Sequence, residues 1–461
     1  MLLTEYRFDL VTQALRIILP LEHPADTTLR YFFQQERIGS NERALVAETV
    51  FGVLRHRLFL EHACSNTDFI AKAEQGGDEQ ATKTVHLVRQ GVRENGNAVS
   101  PQQLNRGDLA TPRRMALAYW LKFGGYNLRQ IAPLLKHGEE PWLASVKAVQ
   151  LSELPLSIQA ELPQWVIEKL QPSMTDDAIL ALGRSMQQPA ALDLRVNTLL
   201  ATRDEVLQIL QAENMDAQPT PYSPIGIRLK DKPALTRHPL FLAGKIEIQD
   251  EGSQLLGNLL APKRNEMIVD FCAGAGGKTL MLGAMMNSQG RLYAFDISEK
   301  RLANLKPRLK RSGLSNLHPQ LIAHENDSKV KRLAGKIDRV LVDSPCSGLG
   351  TLRRNPDIKF RQSPHSLLEL TQKQSAILSA ASKLLKPGGR LVYATCSFLP
   401  EENRAIVDAF LATHPDFTLR PAGEMLAQQK IPLESGDCLQ LMPQQHGTDS
   451  FFAAVLERQK E

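Results

Sequence analysis

The sequence predicts an α/β protein: a doubly wound, Rossmann-like parallel sheet preceded by a small α/β module and an all-α N-terminal domain. Three observations predict it. From Met267 onward, short β-rich apolar runs alternate with helical patterns, as parallel strands joined by crossover helices require. A glycine-rich turn, Asp270 to Thr279 (DFCAGAGGKT), follows the first of those strands. The first 145 or so residues carry only helical periodicity.

The N-terminal domain is expected over 1–145. Phe8, Val11, Ala14, Leu15, Ile18 and Leu19 recur at steps of three and four. Ser40-Asn41 is placed to cap a second helix with Leu45, Val46, Val50, Val53 and Leu54 on one face. Residues about 73–110 turn polar and glycine-rich and read as a mobile insertion. Helical periodicity resumes at Pro112. A small α/β module is expected over 146–250. Leu162-Pro163 opens a helix, Ala191–Asn197 alternates like a strand, Thr202–Glu205 caps a helix, Gly226–Leu229 reads as another strand, and Gly244–Glu251 as a strand and turn leading into a helix around Leu255, Leu256 and Leu259.

The third domain is expected over 251–461. Its strands are predicted at Met267–Phe271, Arg291–Phe295, Gln320–Ala323, Arg339–Val342 and Arg390–Ala394. The last two are separated by a helical pattern around Ile377–Leu385. Segments near Phe417–Leu419 and Phe451–Leu456 suit an edge hairpin.

Composition sets the class. Of 461 residues, 43% are hydrophobic and 23% charged, an ordinary globular balance. No apolar run approaches the ~18 residues of a membrane span. The N-terminus lacks the layout of a signal peptide. Cys64, Cys272, Cys346, Cys396 and Cys438 form no disulfide framework and no zinc-ligand spacing. A cytoplasmic protein with free thiols and no metal is expected. A net charge of +5 permits a nucleic-acid partner.

The turn from Asp270 excludes two phosphate-binding patterns. A P-loop needs glycine at the position of Cys272, and a dinucleotide fingerprint needs glycine or alanine at the position of Thr279. What remains is a turn of small residues, Ala273, Gly274, Ala275, Gly276 and Gly277, through which a ligand can approach the backbone. Asp296, ending the next strand, is placed to accept hydrogen bonds from ribose hydroxyls. Together they suit an adenosine-type cofactor. Asp327, after the third strand, lies where such folds contact an adenine.

Two further cysteines follow strands. Cys346 lies in Asp343-Ser344-Pro345-Cys346-Ser347-Gly348, after Val340-Leu341-Val342. Cys396 lies in Thr395-Cys396-Ser397, after Leu391-Val392-Tyr393-Ala394. A strand–helix–strand crossover places both at the carboxyl ends of neighbouring strands, where open α/β sheets bind ligands. They are a thiol pair for chemistry or two small hydrophobes filling a core.

The runs Asp270–Thr279, Asp343–Gly350 and Tyr393–Ser397, with Gln249–Gln254 and Glu401-Glu402-Asn403, resemble the NOP/Sun family of RNA cytosine methyltransferases. The resemblance covers residues about 160 to 458. The helical N-terminal part resembles, more loosely, the NusB-like RNA-binding domain of the RsmB branch, which acts on small-subunit ribosomal RNA. This chain has Gly274-Ala275 where the family commonly has Ala-Pro, and Ser450 where it has Gly.

The resemblance implies S-adenosylmethionine as cofactor, cradled by residues 272–278 and Asp343, and methylation of cytosine at carbon 5. It makes Cys396 the nucleophile that adds to carbon 6 and Cys346 the residue that assists release. Asp343 then holds the base near ring nitrogen 3, and Lys278 adds positive charge near the nucleophile. The chemistry suits a thiolate, because addition to carbon 6 turns carbon 5 into an enamine-like nucleophile.

RNA is the expected partner of a monomer. Arg353, Arg354, Lys359 and Arg361 directly follow the Cys346 loop and are expected to contact phosphates. Lys300, Arg301, Lys306, Arg308, Lys310 and Arg311 read as a solvated helix face. Transfer RNA is the alternative substrate. A non-catalytic RNA-binding assembly factor is the alternative from another class, and the intact Cys346, Cys396, Asp343 and Asp296 speak against it.

Overall fold

A computed structural model describes residues 2–65 and 110–460. The insertion expected at about 73–110 lies, but for its last residue, outside them. The chain divides into two compact units: Met1–Gln188 with Asn355–Arg361, and Pro189–Arg354 with Gln362–Glu461. The sequence reading divides it instead at 145 and 250.

The first unit is helical. Its longer helices are Glu5–Ile18, Ala25–Gln35, Ser40–Arg55, Arg57–Ser65, Pro112–Lys122, Glu139–Ala148 and Asp176–Met186. Thr4 and Thr111 cap theirs by accepting from backbone N–H groups, and Pro112 occupies the first turn, where its missing N–H costs nothing. The cap expected at Ser40 falls one residue earlier, on Gly39, without a side-chain bond. The faces carrying Phe8, Val11, Leu15, Val46, Val50 and Trp120 close on one core.

The second unit holds two sheets. The smaller is antiparallel, built from β1 (Leu192–Val196), β2 (Ala217–Pro219), β3 (Gly226–Leu229) and β4 (Ile246–Ile248) in the order β2-β3-β1-β4. Helix Arg203–Ala212 covers it, and Thr202 and Glu205 form a reciprocal capping box there.

The larger sheet contains β5 (Met267–Asp270), β6 (Arg291–Asp296), β7 (Leu317–Leu321), β8 (Ile337–Asp343), β9 (Leu385–Thr395), β10 (Phe417–Arg420), β11 (Leu439–Leu441) and β12 (Phe451–Arg458). Its order is β10-β12-β9-β8-β5-β6-β7, with β11 beside β12. The five strands from β5 to β9 pair in parallel. Successive side chains of β5 point to opposite faces, so Ile268 joins one core and Val269 the other. After β7 the chain returns to the other side of β5. That reversal opens a crevice at the carboxyl ends of β5, β6 and β8.

Three strands differ from expectation. β7 begins at Leu317 and takes in Pro319, tolerated because β7 is the sheet edge. β9 begins at Leu385, and its Lys386-Pro387-Gly388-Gly389 run is absorbed by a register shift against β8. The two final segments do pair, Leu419 opposite Leu456, but β12 also runs antiparallel along β9. Among the described residues no helix is long and apolar enough to cross a membrane.

Candidate active site

In the second unit, the carboxyl ends of β5, β6, β8 and β9 surround a cavity of about 730 Å³. Cys272, Ala273, Gly274, Ala275, Gly277 and Lys278 line it from the glycine turn, and Asp296, Asp343, Cys346 and Cys396 from the strand ends. Gly276 does not line it. It adopts φ +81° with its back against Leu305, leaving no room for a Cβ.

The turn is braced on both sides. Gly274 N–H donates to Asp296 Oδ2 at 2.8 Å, and Ser298 N–H to Oδ1 at 2.7 Å. Arg308 Nη1 donates to the Ala275 carbonyl at 2.7 Å, and Arg195 Nη1 to that of Gly277 at 2.5 Å. Arg308 and Arg311 also pair with Glu247, so these two turn inward rather than joining a solvated face. Lys300, Arg301, Lys306 and Lys310 remain exposed. Gly274 adopts φ +56°, so glycine suits the position at which the chain departs from Ala-Pro.

Asp327 is not part of the cavity lining. Its carboxylate caps the short helix Ser328–Lys331, accepting from Lys329 N–H at 2.8 Å and from Ala323 N–H at 2.9 Å. The chain instead presents Ile322, Ala323, His324 and Glu325 there.

Beneath the turn sits Asp270, 1% exposed. Its Oδ2 accepts from the Thr279 hydroxyl at 2.6 Å, while Oδ1 is buried without a partner among the described residues. Burial pushes its carboxyl up to about 7, against 3.8 for an ordinary aspartate, with the Asp343 and Asp296 charges adding to the rise.

Lys278 Nζ donates to Asp343 Oδ2 at 2.7 Å. Burial alone would lower the lysine, but the Asp343 carboxylate, helped by Cys396, holds it above its ordinary value and therefore charged. The sulfurs of Cys346 and Cys396 lie 3.3 Å apart, both as free thiols. Cys346 is raised well above an ordinary thiol, first by its hydrogen bond with Cys396, then by burial and by the Cys396 and Glu402 charges. Cys272 is likewise raised, by burial and by the charges of Asp270, Asp343 and Asp296, which disfavours its thiolate. Gly350 packs so tightly on the Cys396 and Ser450 carbonyls that no Cβ fits.

The larger sheet and its site, residues 257–457, match the family model described as 16S rRNA methyltransferase RsmB/F. Residues 162–236 match the ferredoxin-like domain of the same proteins. A probable ribosomal RNA small subunit methyltransferase B from Synechocystis is 36% identical over 310 residues, 66% of this chain and 69% of that protein. The chain belongs to the RsmB/F family. A Bacillus subtilis protein, likewise described as a probable ribosomal RNA small subunit methyltransferase B, is 29% identical over 96% of this chain and 98% of its own. A crystal structure of a methyltransferase homolog from Pyrococcus horikoshii superposes with a TM-score of 0.57 at 27% identity, covering 67% of this chain and all of that one.

In this RsmB/F-family chain the basic residues after Cys346 do not form an open patch. Lys359 is 3% exposed, and its ammonium donates to the carbonyls of Arg55 and Glu161 and to the Glu161 carboxylate. A lysine so enclosed cannot reach a phosphate, which corrects the expectation for it. Arg354 bridges Asp250 at 2.9 Å and Asp449 at 2.5 Å. Arg353 donates to the carbonyls of Gly447, Thr448 and Pro189. Arg361, about a third exposed, lies 3.6 Å from Asp357. Arg301 and Lys373, exposed, line the cavity instead. Sequence reasoning missed the supports Arg195 and Arg308, because a buried arginine carries no local motif. Ser450, where the family commonly has Gly, is buried, with its hydroxyl on the Met442 sulfur.

Proposed function

We propose that the protein methylates carbon 5 of a cytosine in small-subunit ribosomal RNA, through a covalent bond between Cys396 and the base. The observation that carries this reading is the 3.3 Å approach of two free thiols in the cavity that the glycine turn and Asp296 also line. One thiol suffices for addition. A second at contact distance needs a second step to serve. The names of the relatives, ribosomal RNA small subunit methyltransferases, support the RNA class.

The cavity fits S-adenosylmethionine, which supplies a methyl group on a sulfonium when bound. Asp296 offers carboxylate oxygens to ribose hydroxyls, and the small residues of the turn admit the backbone-hugging chain of the cofactor. The carboxylates of Asp270, Asp296 and Asp343 complement a cation.

In the reaction the Cys396 thiolate bonds to carbon 6 of cytosine. Electron density moves to carbon 5, which with the cofactor bound would take the sulfonium's methyl group, the C–S electron pair staying on sulfur so that a neutral thioether leaves. The carbon-5 proton then passes to water, the electron pair of that C–H bond restores the carbon 5–carbon 6 double bond, and the Cys396–carbon 6 bond breaks to return the Cys396 thiolate. Cys346 stands beside Cys396 and assists that release. Lys278 keeps a positive charge beside the nucleophile and orients Asp343, which receives the base edge. Both cysteines line the cavity and are half-buried, so the target base must leave its stack to reach them. Arg301 and Lys373, lining the same cavity, are candidates to take the flanking phosphates.

Two substitutions test the scheme. Cys396→Ala abolishes methylation and leaves no denaturant-resistant protein–RNA adduct. Cys346→Ala permits addition and accumulates the adduct, seen as a shifted band after denaturing electrophoresis. The reverse pattern would overturn the assignment. Bisulfite mapping of ribosomal and transfer RNA from cells with and without the protein identifies the substrate.

A further inference from the structure

Glu402 and Asn403 follow the second cysteine turn and have no part in the chemistry above, yet both are buried, at 0% and 4% exposure. Glu402 Oε1 accepts from Ser347 N–H at 2.7 Å and from Gln374 Nε2 at 3.0 Å, and Oε2 accepts from the Ser347 hydroxyl at 2.5 Å. The same Gln374 nitrogen donates to the Pro345 carbonyl at 3.0 Å. Glu402 and Gln374 thus hold the residues on both sides of Cys346. Asn403 does the same for Cys396: its Oδ1 accepts from the Thr395 hydroxyl at 2.5 Å, and its Nδ2 donates to the Ser397 carbonyl at 2.9 Å. The Ser347 and Ser397 hydroxyls join the two sets at 3.2 Å.

The brace is also electrically lopsided. Glu402 is tied to the residue after Cys346, and three donors converge on its two oxygens, the coordination of a carboxylate. Lys278, a half-buried cation of the cavity lining, acts on Cys396 and Asp343. Cys346 therefore faces Tyr393 from β9, Cys396 just after that strand and Glu402 from the turn beyond, while from the helix Pro364–Ser382 the exposed Lys373 also lines the cavity. Of these Lys373 is the one cation, and it is exposed, so solvent screens it, whereas the Glu402 carboxylate is fully buried. In a low-dielectric interior a fixed negative charge beside one sulfur and a fixed positive charge beside the other separate two otherwise equal thiols.

We propose that Glu402 is a positioning residue that assigns the roles of the two thiols: its buried carboxylate keeps Cys346 as the S–H partner and leaves Cys396 as the nucleophile. The proposal rests on the two-thiol reading above. It states what that reading leaves open, namely why the thiol in the Pro-Cys turn is not the one that adds.

The test uses the full-length protein carrying Cys396→Ser, so that Cys346 is the remaining thiol of the pair. Alkylation by iodoacetamide is followed across pH by mass spectrometry of the Cys346 peptide. Glu402→Gln, equal in size without the charge, lowers the pH midpoint of alkylation by roughly one unit. Glu402→Asp, which keeps the charge but loosens the brace, stays near the Glu402 midpoint. An unchanged midpoint in Glu402→Gln, or an equal fall in Glu402→Asp, overturns the proposal and leaves Glu402 a brace alone. Should Glu402→Gln lose the fold, Ser347→Ala serves: it keeps the charge and removes one donor, so the midpoint rises or stays, and a fall overturns the proposal. No RNA or cofactor enters the assay. A failed methylation assay with a shifted midpoint therefore rejects the proposed function, and the converse rejects the role of Glu402.

Discussion

Replacing Asp270 with Asn isolates the cost of a buried carboxyl under the cofactor turn. With its carboxyl at about 7 in the fold and 3.8 as an ordinary aspartate, the folded state holds a proton that the unfolded chain has released. A raised group stabilises most fully below its unfolded value, and that stability is lost as pH rises through its folded value. Between about pH 5 and about pH 8 the two values imply a loss of about 3 kcal/mol from this residue alone. Asn keeps an oxygen for the Thr279 hydroxyl and cannot ionise, so the variant escapes that loss. Asp449 is also raised to about 7, by burial and then by Asp250, but it is present in both proteins and cancels from the comparison. The tryptophans, Trp120, Trp142 and Trp165, all lie in the first unit. The second unit must therefore be followed by hydrogen exchange of the β5 amides. The free energy of opening is expected to fall with pH by about 3 kcal/mol more in the parent than in Asp270→Asn. Equal pH dependence in the two proteins would refute the reasoning. Calorimetry adds a second reading: the sulfonium cofactor favours the carboxylate and drives off part of a proton near neutral pH, and the Asn variant releases none.

Lys278→Met removes the cation beside Cys396 and leaves Asp343 without its partner. We expect the rate of adduct formation to fall about a hundredfold while RNA binding changes little, checked by single-turnover kinetics against filter binding. Lys359→Met leaves Glu161 enclosed; burial already raises that carboxyl, against the pull of Lys359, so the first unit loses about 3 kcal/mol in urea denaturation followed by tryptophan fluorescence, and an unaltered midpoint would show that the pair contributes nothing.

What could be read in the sequence follows the distance over which each feature is encoded. The alternation after Met267, the glycine turn and the two cysteine turns are local, and the right-handed crossover rule turns them into neighbouring strand ends. That is enough to bring the glycine turn, Asp296, Asp343, Cys346 and Cys396 to one edge of the sheet, whereas the buried Asp270 carboxyl beneath the turn carries no sign of its role in the sequence. The basic residues show the opposite case. Arg353, Arg354, Lys359 and Arg361 look alike in the sequence, and only their partners separate them. Arg354 meets Asp250 and Asp449, about a hundred residues away on either side. Lys359 meets Glu161, 198 residues back. A charge run states how many cations there are and nothing about which carboxylates will claim them. The motif Glu401-Glu402-Asn403 stood between these cases: visible as a pattern, but without a role until the fold set Glu402 against Ser347, 55 residues earlier. Local chemistry names the groups that react. The long-range hydrogen bonds decide which of two identical groups does so, and the site's asymmetry therefore resides in residues that never touch the substrate.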